Sequence, residues 1–223
     1  MSIQDDDDRE TDDRRAGRPA DAAKREAILE AAVGAFFESG FAGSSIERIA
    51  AEAGVSKVTV YARFGDKRGL FAAAVERECE KMRHSFDVPS VPRGTVRDRL
   101  HAIAEAMLAF LSRPEMVQFD RRIAAETESE PAIGAAFLAA GPHRMKQAFA
   151  AFLKAMAEAG ELDLSDPDLA AEQFVSMCKG MGDLERRFGA APDRARDAAR
   201  IAGAVDVFCR AYQRSERATQ ARS

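Results

Sequence analysis

Apolar residues recur at three- and four-residue intervals along most of this chain, which predicts helices rather than strands. The clearest pattern lies between Phe41 and Phe71, where two short periodic runs flank Gly54. Val60 and Phe64 mark the second run and lie one helical turn apart, so they share one side of a helix. The first run has apolar residues at the spacing of one helical face: Ile46, Ile49, Ala50 and Ala53.

Each run begins at a residue that can cap a helix. Ser44 or Ser45 can cap the first, and Ser44 as the cap would form a capping box with Glu47. Ser56 can cap the second, and Gly54 can adopt the left-handed conformation of a tight turn between helices. The pattern is typical of a helix-turn-helix, whose second helix enters the major groove of DNA.

The outward face of the second helix distinguishes this interpretation from an ordinary helical hairpin, which remains the alternative. No acidic residue lies between Ser56 and Gly65, although a solvated helix face is usually rich in charge of both signs. With Val60 and Phe64 inward, the residues that face outward or sideways are Val58, Thr59, Tyr61 and Ala62. Small apolar side chains can contact thymine methyl groups, and Thr and Lys can bond to base edges. We therefore expect double-stranded DNA as a partner.

The same residues resemble the N-terminal domain of the TetR/AcrR family of bacterial transcriptional regulators, over about residues 24–75. The matching positions are Gly54-Val55-Ser56-Lys57, Thr59-Val60-Tyr61, Phe64, Lys67 and Leu70-Phe71. The resemblance implies phosphate contacts from Ser45, Tyr61 and Lys67, with Ser56 at the start of the recognition helix. It implies base contacts from among Lys57, Val58, Thr59 and Arg63.

Charge is distributed unevenly within the 223 residues, whose formal net charge is −4. Residues 1–13 hold seven acidic residues and one Arg, whereas residues 14–71 hold ten basic and seven acidic residues. We expect residues 1–16 to form a disordered acidic tail. A flexible basic arm containing Arg14, Arg15 and Arg18 follows, and it can reach DNA; a solvated linker is the alternative.

Gly and Pro residues mark helix and domain boundaries in the rest of the chain. The first helix is expected from about Asp21 to Ser39, and the fourth, a connecting helix, from Lys67 to about His84. A segment rich in Pro, Val88–Gly94, separates a DNA-binding domain at residues 17–84 from a C-terminal domain at 95–214, with a flexible tail at 215–223. The helices expected beyond this segment are Thr95–Leu111, Pro114–Glu130, Pro131–Ala140, His143–Ala159, Asp166–Phe188 and Pro192–Arg214.

The C-terminal half is rich in Met and Phe, which can line an adaptable apolar pocket between helices. The alternative is that these residues simply form the core. The candidate pocket residues are Met107, Phe110, Phe119, Met145, Phe149, Phe152, Phe174 and Met177.

Small residues along the last predicted helix allow close packing between two copies of the chain, with packing inside one chain as the alternative. The candidate dimer residues are Ala198, Ala202, Val205, Cys209 and Tyr212. Dimerisation also suits DNA binding, because two recognition helices gain affinity on a palindromic site.

The stretch from Arg121 to Gly180 resembles the C-terminal domain of an AefR-like subgroup of the TetR family. The resemblance rests on Glu130-Pro131, on Ala140-Gly141-Pro142 and on the run from Asp166 to Phe174.

Sequence motifs typical of metal sites, disulfide frameworks and enzyme active sites are missing. The three Cys residues are widely spaced and form no metal or disulfide pattern, and the nucleophile and phosphate-loop motifs of enzymes are missing. Gly180-Met181-Gly182 is too short for a phosphate loop and lies in a helical pattern. With no signal peptide and no apolar run of about 18 residues, we expect a cytoplasmic protein without catalytic activity, cofactor or metal.

The sequence therefore predicts an all-α protein: a three-helix DNA-binding domain joined by a connecting helix to a helical domain for ligand binding and dimerisation. Its expected function is that of a homodimeric repressor, released from a palindromic operator by a small apolar or amphipathic ligand. One alternative is a DNA-binding regulator controlled by a partner protein or by thiol chemistry at Cys79. The other is an all-α ligand-binding protein whose DNA-binding head is not functional.

Overall fold

The computed structural model describes the backbone of residues 8–83 and 94–214, and the side chains of residues 21–80 and 94–214. Within these ranges the chain forms ten α-helices, and its extended pairing is a single bridge between Leu162 and Gln213. The all-α prediction is confirmed. The helices are α1 Asp8–Gly43, α2 Ile46–Glu52, α3 Lys57–Phe64, α4 Lys67–Arg83, α5 Val96–Leu111, α6 Pro114–Ser129, α7 Pro131–Ala140, α8 Pro142–Glu158, α9 Pro167–Arg187 and α10 Arg194–Tyr212.

The start of α1 differs from the prediction. The helix begins at Asp8 rather than near Asp21, so the backbone of residues 8–16 is helical, and the expectation of a disordered tail is wrong for them. These residues include neither Gly nor Pro, and acidic residues are favoured in a first helical turn by the helix dipole. Residues 1–7 and 215–223 of the two predicted tails lie outside the described residues.

The chain divides into two compact units, Met1–Val75 and Glu76–Ser223, and the division falls inside α4. The sequence suggested a boundary in the segment from Val88 to Gly94, of which residues 88–93 lie outside the described residues. The connecting helix α4 thus carries residues of both units.

An aromatic cluster holds the core of the first unit together. Phe71 of α4 packs edge-on against Phe36, with ring centroids 5.2 Å apart, and against Phe41, at 5.5 Å. Gly40 makes this cluster possible, because its φ of 73° turns the chain at the predicted end of the long helix and brings Phe41 back onto the core. The larger aliphatic side chains buried in this unit are Ile28, Leu29, Ile46, Ile49, Val60, Leu70 and Val75.

The helices of the second unit begin and end within two residues of their predicted limits. Their core lies among α5, α8, α9 and α10. Three aromatic rings run through it: Phe149 lies 5.3 Å from Phe174, which lies 5.2 Å from Phe208. Thr95 caps α5 through a capping box with Asp98.

The segment Gly180-Met181-Gly182 lies within α9, as the pattern predicted, but Gly180 has φ 45° and interrupts the helical geometry. The side chain of Arg200 from α10 fills the space beside both glycines: a Cβ on Gly180 would lie 2.7 Å from its Cδ, and one on Gly182 would lie 2.6 Å from Nη1. These glycines therefore make room for an arginine rather than for a phosphate.

Within the part of the chain that the structure describes, no helix combines the length and the apolar character needed to cross a membrane.

The first turn of α4 approaches the end of α3 too closely to accept a side chain at Gly69. A Cβ there would lie 2.0 Å from the carbonyl oxygen of Phe64. The carboxylate of Asp66 accepts a hydrogen bond of 2.7 Å from the backbone N–H of Gly69, which holds this turn in place. The position of α3 relative to α4 therefore requires a residue without a side chain at position 69.

We expect Gly69→Ala to lower the free energy of unfolding by about 1–3 kcal/mol, the usual cost of overpacking. Gly34→Ala is the matched control, because Gly34 lies inside α1 and a Cβ added to it would have no atom within 4 Å. That substitution should raise the free energy of unfolding by about 0.5–1 kcal/mol. Urea denaturation followed by circular dichroism measures both; equal effects of the two substitutions would contradict the close contact at Gly69.

Candidate nucleic-acid interface

Ser45 begins the first helix of the motif. Its Oγ accepts a hydrogen bond of 3.1 Å from the backbone N–H of Arg48, in the geometry of a helix N-cap. Ser44, the other candidate, is buried, and its hydroxyl donates to the carbonyl oxygen of Phe41 at 2.8 Å. The capping box between Ser44 and Glu47 therefore does not form, because Ser44 faces the core.

The turn into the second helix has the geometry that the sequence predicted. Gly54 has φ 66°, and the backbone N–H of Val55 donates to the carbonyl oxygen of Ala50 at 2.9 Å. Ser56 caps α3, since its Oγ accepts a 3.1 Å hydrogen bond from the N–H of Thr59. The Ser56 and Thr59 hydroxyl oxygens are also 2.9 Å apart, which orients the Thr59 side chain.

The orientation of α3 separates a core face from an exposed face. Val60 is 1% exposed, whereas Val58 is 71% exposed and Tyr61 is 43% exposed. Ala62 is also exposed, and Phe64 is half-buried, with the guanidinium of Arg25 6.0 Å from its ring centroid. The predicted outward face is thus present: apolar and aromatic side chains that the chain itself does not cover.

The two cations of α3 are bonded to carboxylates of other helices. Lys57 donates from Nζ to the Oε1 atom of Glu47 on α2, at 3.1 Å. Arg63 forms a two-pronged hydrogen bond with Asp21 of α1, and its side chain is only 22% exposed. Arg63 therefore ties α3 to α1 and lies beside the inward face, away from the exposed Val58.

These ion pairs also lower the pKa values of the two carboxyl groups, those of Asp21 and Glu47. The hydrogen bond from Arg63 holds the pKa of the Asp21 carboxyl below its usual value. A hydrogen bond from its own backbone N–H, followed by one from Lys57, lowers the pKa of Glu47. Sequence reasoning did not predict either ion pair, because the partners are ten or more residues apart and lie on different helices.

The remaining DNA-contact candidates lie outside α3. Lys67 is half-buried at the start of α4, with Nζ 4.6 Å from the ring centroid of Phe41 and 3.4 Å from the carbonyl oxygen of Ala42. Arg14, Arg15 and Arg18 lie in the helical backbone of α1 rather than in a flexible arm, and their side chains lie outside the described residues.

The candidate ligand-pocket residues lie mainly in the core of the second unit. Phe110 and Met177 are partly buried against that core, and Phe119 packs elsewhere, 5.8 Å from Phe137 of α7. The buried core members of the set are Met107, Met145, Phe149, Phe152 and Phe174. A surface groove of about 690 Å³ lies at α8 and the start of α9 and contains none of these residues; Ala150, Lys154, Leu164 and Pro167 are among its lining residues.

The predicted dimer residues divide between two faces of α10. Ala198 and Ala202 are exposed, but Val205 and Cys209 are buried in the chain's own core, because α10 packs there against α5 and α9. Tyr212 is half-buried, and its hydroxyl donates to Gln173 at 2.7 Å. The prediction missed a set of large exposed apolar side chains: Met181, Leu184 and Phe188 at the end of α9, and Val207 on α10.

Metal binding and thiol chemistry both depend on titratable side chains. Within the described residues, no group of three or more His, Cys, Asp or Glu side chains is placed to hold a metal ion. Burial, with a smaller contribution from Glu78, raises the pKa of the half-buried Cys79 thiol to about 11. A thiol with this pKa is almost wholly protonated at neutral pH and is a poor nucleophile.

Known proteins resemble this chain over both of its units. Residues 28–74 match the family described as bacterial regulatory proteins, tetR family, and residues 98–214 match the AefR-like transcriptional repressor, C-terminal domain. The HTH-type transcriptional repressor SCO4008 of Streptomyces coelicolor is 46% identical over 63 residues. That alignment covers 28% of this chain and 32% of the Streptomyces protein, so it spans about a third of that repressor's length.

Solved structures extend the similarity to most of the chain. A TetR-family regulator from Mesorhizobium loti MAFF303099 has a TM-score of 0.73 and 28% identity, covering 87% of this chain and 98% of its own. The flavonoid-responsive regulator FrrA has a TM-score of 0.68 and 32% identity, covering 85% of this chain and 97% of its own. The chain belongs to the TetR family of bacterial transcriptional regulators, with a C-terminal domain of the AefR-like repressor type.

Proposed function

We propose that this protein is a homodimeric repressor that reads a palindromic operator with α3 of each copy and leaves it when a small ligand binds the second unit. The observation that carries the proposal is the face of α3, where Val58 and Tyr61 are exposed while Val60 is buried. An uncovered Val and Tyr on a short helix without acidic residues suit contact with base edges and the DNA backbone.

The proposed DNA contacts fall into two kinds. Val58 lies at the centre of the exposed face and suits a thymine methyl group, and Lys57 can reach a guanine or a phosphate. Tyr61 at the edge of that face, with Ser45 and Lys67 at two helix starts, suits phosphates, which fix the position of the protein without reading sequence.

A second copy of the chain is the proposed partner of the exposed apolar stripe on α9. Met181, Leu184 and Phe188 recur at helical spacing, and Phe188 is 84% exposed. Large apolar side chains grouped in this way usually mark an interface. Ala198 and Ala202 add small exposed residues on the neighbouring α10, where another helix can approach closely.

The ligand is proposed to be small and largely apolar, and to enter among the Met and Phe side chains of the second unit. Met107, Met145 and Met177 are flexible and can move aside without leaving polar groups unsatisfied. The name of FrrA describes that protein as flavonoid-responsive, and its 32% identity over most of this chain supports an aromatic effector here.

Ion pairs offer a route from the ligand site to α4. Glu78 of α4 is buried, and its carboxylate lies 3.1 Å from Arg77 and 3.6 Å from Arg113 in the turn between α5 and α6. Glu76 pairs with Arg144 of α8 at 2.5 Å. A ligand that moves α5, α6 or α8 therefore moves α4, and it lowers DNA affinity only as far as it prefers the displaced arrangement.

Two alternatives are weaker. Control by thiol chemistry needs a reactive Cys79, whereas burial raises the pKa of this thiol to about 11. An all-α binding protein with a non-functional head does not account for a complete turn, two caps and an uncovered recognition face. Membership of a regulator family also supports a role without catalysis.

The experiment that tests the proposal is selection of bound DNA from a random double-stranded library with the purified full chain. Enrichment of an inverted repeat is the expected result, and the separation of its halves reports the spacing of the two α3 helices. Bound DNA without enrichment at low salt would contradict sequence reading, and an enriched single half-site would contradict the dimer.

Tyr61→Phe and Val58→Ala should affect DNA binding in different ways. Loss of the Tyr61 hydroxyl should weaken binding to all sequences, because a phosphate contact carries no sequence information. Val58→Ala should weaken binding to the selected operator by up to about 1–3 kcal/mol and change random DNA little. Fluorescence anisotropy with both DNAs measures the effects; a uniform loss for Val58→Ala would exclude a base contact.

Phe188→Glu should convert the dimer to a monomer. Each dimer loses two apolar contacts worth about 1.5–3 kcal/mol apiece, so we expect the dimer dissociation constant to rise about 100-fold or more. Leu169→Glu is the control, since Leu169 is exposed at the other end of α9. Sedimentation velocity of both variants gives the association state, and a dimeric Phe188→Glu protein would place the interface elsewhere.

Alkylation of Cys79 should be slow at neutral pH, and its rate should keep rising to a higher pH than the rate of an ordinary thiol. Because the folded pKa is raised to about 11, the thiolate fraction should keep rising about tenfold per pH unit until close to pH 11. In the unfolded chain the rate should level off near the ordinary thiol pKa of about 8.5. Peptide mass spectrometry after timed iodoacetamide exposure measures the alkylation rate. A rate that levels off below pH 9 in the folded protein would support regulation by thiol chemistry at Cys79.

A further inference from the structure

Every cation within the helix-turn-helix segment, residues 44–65, is hydrogen-bonded to a carboxylate on a different helix. The three pairs are Arg48 with Glu38, Lys57 with Glu47, and Arg63 with Asp21. Arg63 is the most firmly held of the three cations, because it makes two charge-assisted hydrogen bonds and its side chain is 22% exposed. It therefore fixes α3 to α1 instead of adding a polar group to the exposed face.

The other polar side chains of α3 also lie away from the centre of that face. Lys57 is the first residue of the helix and reaches back to α2. The Thr59 hydroxyl lies 2.9 Å from the hydroxyl of Ser56, the cap of the same helix. Tyr61 lies at the edge of the face, where it suits a phosphate.

Hydrocarbon is left at the centre of the exposed face. Val58 is 71% exposed, and Ala62 is exposed as well. These two residues are four positions apart, so their side chains lie on one side of the helix, one turn from each other. Together they present three methyl groups to the outside.

A methyl surface of this kind selects among base edges. Donors and acceptors of a base that are covered by hydrocarbon lose water without gaining a hydrogen bond, which is costly. The apolar group of the major groove is the C5 methyl of thymine. One helical turn advances about 6 Å over four residues, and stacked bases are about 3.4 Å apart, so Val58 and Ala62 can reach methyls within about two base steps.

We propose that Val58 and Ala62 together determine operator specificity by binding the C5 methyl groups of two nearby pyrimidines in each half-site. This inference rests on the proposed DNA-binding function and extends the single contact proposed for Val58. Thymine supplies such a methyl group in ordinary DNA, and 5-methylcytosine carries the same group at the same position. The contact therefore recognises the methyl group and not the hydrogen-bonding edge of the base.

The test uses the wild-type full chain and the operator selected from the random library. Each thymine of the half-site is replaced in turn, in both halves, by deoxyuridine, which lacks only the C5 methyl. Two thymines within about two base steps should each cost about tenfold in affinity, since one buried methyl is worth about fourfold and the dimer binds two. The remaining thymines should each cost less than about twofold. An operator whose affinity is unchanged by every replacement would overturn the inference.

A second set of operators separates the methyl group from the rest of the thymine edge. At each of the two sensitive positions, the T·A pair is replaced by C·G or by 5-methylcytosine·G. The methylated pair should bind several-fold more tightly than the unmethylated pair. Equal affinities of these two operators would show that the protein reads the thymine O4 or the local DNA shape, and would overturn the inference.

Two variants assign the methyl groups to side chains. Val58→Ala should reduce the deoxyuridine effect at one sensitive position and preserve it at the other, and Ala62→Ser should do the reverse. Ala109→Ser is the matched control, because Ala109 is an exposed residue inside α5 of the second unit. Fluorescence anisotropy measures the affinities, and circular dichroism confirms that each variant is folded. Deoxyuridine effects that are the same in all three variants as in the wild type would exclude both side chains.

The library selection decides which hypothesis has failed. If no sequence is enriched, the proposed function is wrong, and the reading of methyl groups is wrong with it. If a sequence is enriched but its affinity does not depend on C5 methyl groups, only the role of Val58 and Ala62 is wrong.

Discussion

The connecting helix α4 carries buried side chains of both compact units, and the proposed regulation depends on it. Phe71 closes the aromatic cluster of the first unit, and Glu78, two turns later, is buried among arginines of the second. Because the backbone hydrogen bonds of a helix resist bending, the proposed regulation would carry a displacement at Glu78 along α4 to Phe71. The close contact at Gly69, which admits no side chain, would then pass that displacement to the end of α3.

Local signals in the sequence were sufficient to predict most of the DNA-binding head. The cap at Ser56, the positive φ of Gly54 and the inward side of α3 at Val60 each follow from a few adjacent residues. In the second unit, the helix limits are equally local, because Pro residues begin several of the helices. The sequence left the cap of α2 ambiguous because Ser44 and Ser45 are adjacent. Ser44 is buried in the core, so Ser45 caps the helix.

Contacts between helices could not be predicted in the same way. Lys57 and Glu47 are ten residues apart, and Arg63 and Asp21 are forty-two residues apart, so no helical period relates them. On α10, Ala and Gly occupy several sides of the helix, and their spacing does not reveal which side is buried. Val205 and Cys209 therefore looked suited to a partner although they pack inside the chain. Phe188, just after α9, lies at helical spacing from Leu184 and Met181, but that spacing alone does not show that this side of the helix is exposed.

The pairing of cations in the head also bears on how an acidic protein can bind DNA selectively. With a formal net charge of −4, the chain has little overall attraction for phosphates, and its recognition segment is neutralised by Glu38, Glu47 and Asp21. Affinity must then come less from charge than from the proposed base contact of Val58 and the proposed hydrogen bond from Tyr61 to a phosphate. Because few long-range attractions hold such a DNA-binding unit near DNA, its non-specific affinity is low, and the proposed ligand would need only a modest displacement of α3 to release it.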